Sequence, residues 1–281
     1  MPDRTLLLVH AHPDDETLAT GGTIARYAGG AFGAGVRVAV VTCTLGEEGE
    51  IIPPGLTQLG SWAADQLGGY RHGELAAACA ALGVAEHRFL GGVGRWRDSG
   101  MAGTPSVQHP RAFVQGDLTE QAGRLRTVLD ELRPQVVVTY DNFGGYGHPD
   151  HVRAHEVTMA AAPVARSVQR VFHVLAPRTP VRESLATLRA VPGMPFTVPE
   201  PDDVPTVPDG RVDTVVDTRA AGAAKLEALR AHATQVAVWD GPPACWALSN
   251  GQVQANPGAE YFALAHGPTD GCADDLFGGL A

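Results

Sequence analysis

RTLLLVHAHPDDETLATGGTIARYA, residues 4–28, decides the fold when read together with VRVAVVT at 36–42. Residues 4–10 make an almost unbroken apolar run, the pattern of a short strand buried in a sheet. Pro13 and the acids at 14–16 suit a first helical turn, because proline needs no amide partner there and carboxylates complement the helix dipole. A helix is therefore expected over 15–28, and the β-branched run at 36–42 reads as a second strand. Strand, helix and strand in that order imply parallel neighbours joined by a right-handed crossover. The same stretch poses a problem. Asp14, Asp15 and Glu16 repel one another side by side, and folding alone gives no reason to choose all three. A metal ion or a proton-transfer task does.

Outward from this unit the alternation continues. SWAADQLGGYRHGELAAACAALG (61–83) is helical on balance despite Gly68 and Gly69, and HRFL (87–90) is a third short strand. Over 118–133, Leu118, Leu125, Val128, Leu129 and Leu132 share one helical face, before the strongly β-branched strand 135–140. A helix over about 149–162 and a strand at 171–175 follow. The fold class is α/β, an open, mostly parallel, doubly wound (Rossmann-like) sheet with a smaller irregular C-terminal part. Eight prolines between 177 and 208 exclude long regular elements there and leave room for one short helix near 181–190. Beyond them, a strand at 211–218, a helix at 219–235 and a strand at 260–265 are expected. The organisation inferred is a metal-binding catalytic core, 1–175, and a Pro-rich excursion with C-terminal elements, 176–281, completing a substrate cleft.

Composition narrows the function. A chain of 281 residues that is 44% hydrophobic and 19% charged is an ordinary globular composition. The net charge of −10 with no dense Lys/Arg cluster argues against nucleic acid and against an anionic membrane surface. No apolar run is long enough to span a bilayer, and LLLV is too short for a signal-peptide core, so the expected location is cytoplasmic. Cys43, Cys79, Cys245 and Cys272 lack CxxC spacing and read as reduced apolar fillers. A neutral or cationic small molecule is the partner these features favour. The sequence carries no signal for oligomeric state.

GGYGHPDH, residues 144–151, follows another expected strand and repeats the His-Pro-Asp of residues 12–14. The carboxyl ends of strands in open α/β sheets are where ligands bind, so two remote segments of similar chemistry converge in one cleft. His12, Asp15 and His151 supply two imidazoles and a carboxylate, the three-ligand pattern of catalytic zinc with one position left for water. Asp14 is then the base for that water. The same donor set suits ferrous iron, and the ion is left open to it. The competing reading, acids that merely complement a helix dipole, leaves His12 and the repetition at 148–151 unexplained. His155 lies one turn beyond His151 and is a lesser ligand candidate; His10 and His173 read as core or supporting imidazoles.

AHPDDE together with GHPDH resembles the LmbE-like (PIG-L) family of zinc-dependent N-deacetylases and amidohydrolases. VTCTLGEEGE, ADQLGGYRHGEL, GGVGRWRDSGMAGT, VVTYDNFGGYGHPDH and AHATQV narrow the similarity to the branch that removes acetate from N-acetylglucosaminyl-inositol in mycothiol biosynthesis. The similarity runs over most of 4–160 and again around 219–250. It implies a zinc-dependent hydrolase of a neutral amino-sugar inositol glycoside. Related conjugate amidases, which cleave mycothiol S-conjugates, are the near alternative, and a non-catalytic sugar-binding module is disfavoured. By resemblance, His12, Asp15 and His151 match metal ligands and Asp14 the general base. His148 matches the oxyanion or leaving-group histidine, Asp150 the acid that orients it, and Tyr146 the phenol near the carbonyl oxygen. Arg71 and Asp98 match groups that hold sugar hydroxyls, and Gln235 is carried over with them. Whether Asp14 or His148 protonates the leaving amine stays open.

Overall fold

The structure, a computed structural model, describes residues 4–29, 36–256 and 258–280. Strand β1 (Arg4–His10), helix α1 (Asp15–Ala28) and strand β2 (Val36–Thr42) form the expected unit. They are followed by α2 (Leu67–Leu82), β3 (Glu86–Phe89), α3 (Leu118–Leu132), β4 (Val136–Tyr140), α4 (Pro149–Ala161) and β5 (Arg170–Leu175). The C-terminal part adds α5 (Arg178–Arg189), β6 (Thr214–Asp217), α6 (Gly222–Ala231), β7 (Ala237–Trp239), β8 (Cys245–Ala247), β9 (Val253–Ala255) and β10 (Ala259–His266).

A seven-stranded sheet runs β3-β2-β1-β4-β5-β10-β6. The first five strands are parallel, and β10 inserts antiparallel between β5 and β6. Strands β7, β8 and β9 make a separate antiparallel sheet, which periodicity does not reveal because each is three residues long. Helix α2 also begins later than expected, at Leu67, since residues 54–59 form a 3-10 segment and 61–64 a turn. The helix expected over 219–235 ends at Ala231.

Alternation along β1 feeds two cores. Leu7 and Val9 pack with Leu125 and Leu129 of α3 and Val157 of α4. Leu6 and Leu8 pack on the other face with Ile24 of α1, Leu82 of α2 and Ala228 of α6. Period-two side chains on a doubly covered sheet produce this three-layer arrangement. The cysteines are free and buried. Among the described residues no helix is long and apolar enough to cross a membrane.

The sheet's winding places the site. From β1 the order runs outward through β2 and β3 on one side and through β4 and β5 on the other, so the topological switch lies between β1 and β4. Their carboxyl ends open the crevice where this class of sheet binds ligands. Residues 11–15 leave the end of β1, and 141–151 leave the end of β4.

Candidate metal centre

Pro13 and Asp14 turn the chain sharply from β1 into α1. Asp14 takes φ 104°, a conformation that costs a non-glycine residue about 1–3 kcal/mol. The turn sends two adjacent acids in different directions. The Asp15 Oδ2 atom lies 3.3 Å from His12 Nδ1 and 3.3 Å from His151 Nε2, whereas the Asp14 carboxylate lies 3.2 Å from the Arg71 guanidinium.

The tautomers show which nitrogens can bind a cation. His151 Nδ1 donates to the Gly144 carbonyl at 3.2 Å, which leaves a lone pair on Nε2, and that buried atom has no hydrogen-bond partner. A side chain on Gly144, which has φ 68°, would collide with His151 and disturb this bond. His12 Nε2 faces Asp150 Oδ2 at 3.2 Å and Asp98 Oδ1 at 3.4 Å, so its proton sits there and Nδ1 turns a lone pair towards Asp15. Two imidazole lone pairs thus look at one carboxylate oxygen. The 3.3 Å separations equal an edge of a tetrahedron whose corners lie about 2.0 Å from its centre, the bond length zinc makes with nitrogen and oxygen. The residues fit a bound divalent cation.

Electrostatics agree with that fit. Burial disfavours a charged ring at His12, yet the carboxylates of Asp98, Asp15 and Asp150 hold its pKa well above the ordinary histidine value. A cation would take the place of that proton. Burial also works to raise Asp15, but positive charge and ring N–H groups on its His151 and His12 side, the place a cation would take, hold it well below the carboxylate range. Asp14, by contrast, is pushed up to about 6 by burial, with Asp15 and Glu16 adding and Arg71 opposing.

The ligating atoms of His12, His148 and His151 lie within 4.8 Å of one another, as do those of His12, Asp98 and Asp150. His148 belongs to the first group by distance but differs in tautomer. As N-cap of α4 its Nδ1 accepts the Asp150 amide at 3.1 Å, so Nε2 carries the proton and acts as a donor. Burial, with His12 and His151 nearby, lowers its pKa to about 3, which keeps the ring neutral. The link from Asp150 to His148 runs through the backbone amide, while its carboxylate serves His12 and the Ser99 amide, at 3.2 Å and 2.9 Å.

The other sequence-selected residues reach the same crevice. Tyr146 stands at its mouth, 48% exposed, its ring 5.0 Å from that of His151. Arg71 is 3% exposed; besides Asp14 it bonds the carbonyls of Pro13 and Gly46. Asp98 accepts the amides of Gly100 and Glu48 at 2.8 Å and 3.3 Å. Gln235 and Arg71 both close on Gly49, where a side chain would strike them. His155 stays outside, bonded to the Tyr140 carbonyl at 3.0 Å.

Several supporting residues are not legible in the sequence. Tyr140 stacks on His151 with centroids 4.2 Å apart and accepts the Ala11 amide at 3.0 Å. Glu16 and His232, neither exposed at all, pair at 2.8 Å although 216 residues separate them. Glu47 accepts the Asp98 amide at 2.9 Å.

Buried histidines and carboxylates able to hold a metal ion, gathered at the switch point of an open α/β sheet beside a carboxyl of raised pKa and a neutral imidazole donor, are the equipment of a metal-assisted hydrolase. Residues 7–162 match the profile of the PIG-L family, described as GlcNAc-PI de-N-acetylase, and the chain belongs to that family. It is 58% identical over 277 residues to a protein of Actinosynnema mirum, covering 98% of this chain and 96% of that one. It is likewise 58% identical over 275 residues to one of Saccharomonospora viridis, covering 98% and 100%. Both are named "1D-myo-inositol 2-acetamido-2-deoxy-alpha-D-glucopyranoside deacetylase". The fold is shared with N,N'-diacetylchitobiose deacetylase of Pyrococcus horikoshii, at TM-score 0.54 and 18% identity over 82% of this chain and 70% of that one. It is shared equally with GalB, a 4-carboxy-2-hydroxymuconate hydratase of Pseudomonas putida, at TM-score 0.56 and 19% identity over 94% and 97%. A deacetylase and a hydratase on one fold show that the architecture alone does not select the reaction.

Proposed function

We propose that this chain hydrolyses the acetamide of N-acetylglucosaminyl-inositol, releasing acetate and glucosaminyl-inositol, a step of mycothiol biosynthesis. The observation that carries the reaction class is the pair of imidazole lone pairs facing Asp15, with the Asp14 carboxyl beside them. The substrate rests on the near-full-length relatives named for it.

An acetamide is a poor electrophile, so its hydrolysis needs an activated water, a polarised carbonyl and a proton for the departing nitrogen. His12, Asp15 and His151 would hold a divalent ion, zinc in this reading with ferrous iron compatible, which would supply Lewis acidity when bound. Asp14 takes the proton of the attacking water, its basicity raised by burial above that of an ordinary carboxylate. His148, donating through Nε2, and the Tyr146 hydroxyl stabilise the carbonyl oxygen as charge develops on it. Asp150 and Asp98 fix the His12 tautomer. Once protonated, Asp14 is placed to return its proton to the leaving amine. Arg71, Asp98 and Gln235 line the sugar side, Arg71 chiefly by holding Asp14 and the loop at Gly46. The segment 176–281 completes the cleft, a reading supported by Gln235 reaching Gly49. The partner is a neutral small molecule rather than a nucleic acid or a membrane, and the enzyme works in the cytoplasm.

The test is acetate and amine release by one purified sample of known metal content. Acetate equimolar with free amine, abolished by chelation and restored by zinc, is the expected result. Absence of acetate from the zinc-loaded protein overturns the reading, and faster cleavage of a mycothiol S-conjugate would reassign it to the amidase.

A further inference from the structure

Glu16 is fully buried, and the reaction as described leaves it without a part. Its two carboxylate oxygens serve different segments. Oε2 accepts the backbone amide of Asp14 at 3.0 Å. Oε1 accepts the Thr17 hydroxyl and the Nε2–H of His232, the latter at 2.8 Å. His232 caps the end of α6, and its carbonyl receives the amides of Gln235 and Val236, both at 2.9 Å. A carboxylate complementing a helix dipole alone would lie at the surface in water. This one instead ties the strained residue to a distant helix.

Asp14 is the one point at which the chain must turn so that adjacent acids face different ways, Asp15 towards the imidazoles and Asp14 towards Arg71. A non-glycine residue at φ 104° stays there only where its surroundings hold it. The holders are visible on every side. Arg71 grips the Pro13 carbonyl, the Thr17 and Leu18 amides hold the Asp14 carbonyl at 2.9 Å and 2.8 Å, and Glu16 holds the Asp14 amide.

We propose that Glu16, locked by His232, is a positioning residue that fixes the Asp14 backbone and so aims the catalytic carboxylate away from the metal ligand. The proposal deepens the preceding one, because it takes Asp14 to be the base. It also gives α6 a part in catalysis, since the lock on Glu16 comes from its end.

Glu16→Gln is the informative variant. A carboxamide has a single carbonyl oxygen, so it cannot accept from both the Asp14 amide and His232: its NH2 group either faces the Asp14 amide or turns to His232, where the charged lock on the ring is gone. Glu16→Asp keeps the charge but is one methylene too short to bridge both. In each variant kcat falls roughly 10- to 100-fold, the scale of a misplaced catalytic group, while zinc content and KM stay within about 2-fold of the parent. Hydrogen exchange of the Asp14 amide quickens by about 10-fold or more as its bond is lost, and that of residues 23–27 in α1 does not change.

A double-mutant cycle separates positioning from general damage. If Glu16 acts through Asp14, Glu16→Gln costs nothing further, within about 2-fold, once Asp14→Asn is in place. An equal fold-loss in both backgrounds overturns the proposal, as does loss of zinc or full activity in either Glu16 variant. Parent-like activity of Glu16→Asp beside an inactive Glu16→Gln assigns the effect to charge and overturns it too. Failure of the underlying reading shows separately, as an Asp14→Asn enzyme that is still active.

Discussion

Gly144 holds His151 by one ring nitrogen and Asp15 faces the other: the Gly144 carbonyl is 3.2 Å from Nδ1 and Asp15 Oδ2 is 3.3 Å from Nε2. Nδ1–H serves the Gly144 carbonyl, and a cation between Nε2 and Asp15 Oδ2 would complete the ring's other side, as it would between Asp15 and His12 Nδ1.

Removal of either partner should therefore release the ion. Asp15→Ala and His151→Ala are expected to lose bound zinc and turnover together, as read by metal analysis of dialysed protein. Near-stoichiometric zinc in both variants would take these residues out of the ligand set.

His148 combines two jobs that one substitution can separate. Asparagine at this position still offers an oxygen to the Asp150 amide and keeps the α4 cap, but it lacks the Nε2 donor. His148→Asn should melt within about 1 kcal/mol of the parent, the scale of a helix cap, while kcat falls on the order of 100-fold, the scale of a lost oxyanion donor. Comparable thermal stability with unchanged kcat would assign His148 to capping alone.

Arg71→Ala should cost stability as well as rate. The guanidinium is buried against Asp14 and two carbonyls, and removing one partner of a buried charge pair costs about 3–5 kcal/mol. Denaturant melts check this. Full stability with a raised KM would make Arg71 a binder of sugar hydroxyls and little else.

A pH effect on stability is expected away from the site. Burial holds the His87 pKa down to about 4, against 6.5 for the free side chain. Between those values the unfolded chain binds a proton that the folded protein does not, so stability is fully present above pH 6.5 and is lost as pH falls towards 4. His87→Gln should flatten this part of the curve in urea melts at pH 7, 5.5 and about 4.5. Parallel curves for parent and variant would contradict the assignment.

Much of the architecture was legible because its signals are local. The apolar run 4–10, the acids opening α1 and the β-branched run 36–42 each carry a periodicity that packing does not override, and all three elements end where the pattern ends. The small sheet was not legible: β7, β8 and β9 are three residues long, with Pro242 and Pro243 in the connection between the first two. In the site, His-Pro-Asp at both strand ends marks where His12, Asp15, His148 and His151 come together. The Glu16–His232 pair escapes such a reading because Glu16 looks like any acid in a first turn, and its partner is fixed only by where α6 packs. The parts played by Asp98 and Arg71 within the protein were hidden for the same reason, since each depends on backbone groups of distant loops.

The division of labour between Asp14 and Asp15 is the centre of the account, and Asp14→Asn tests it in one measurement of turnover and metal content on the same sample. Asparagine keeps the size of the side chain but cannot take the proton of the attacking water. Turnover should fall roughly 100- to 10,000-fold, the span of general-base catalysis, with zinc retained at the parent's level. Loss of zinc along with activity would make Asp14 a ligand, and activity near the parent's would remove it from the chemistry.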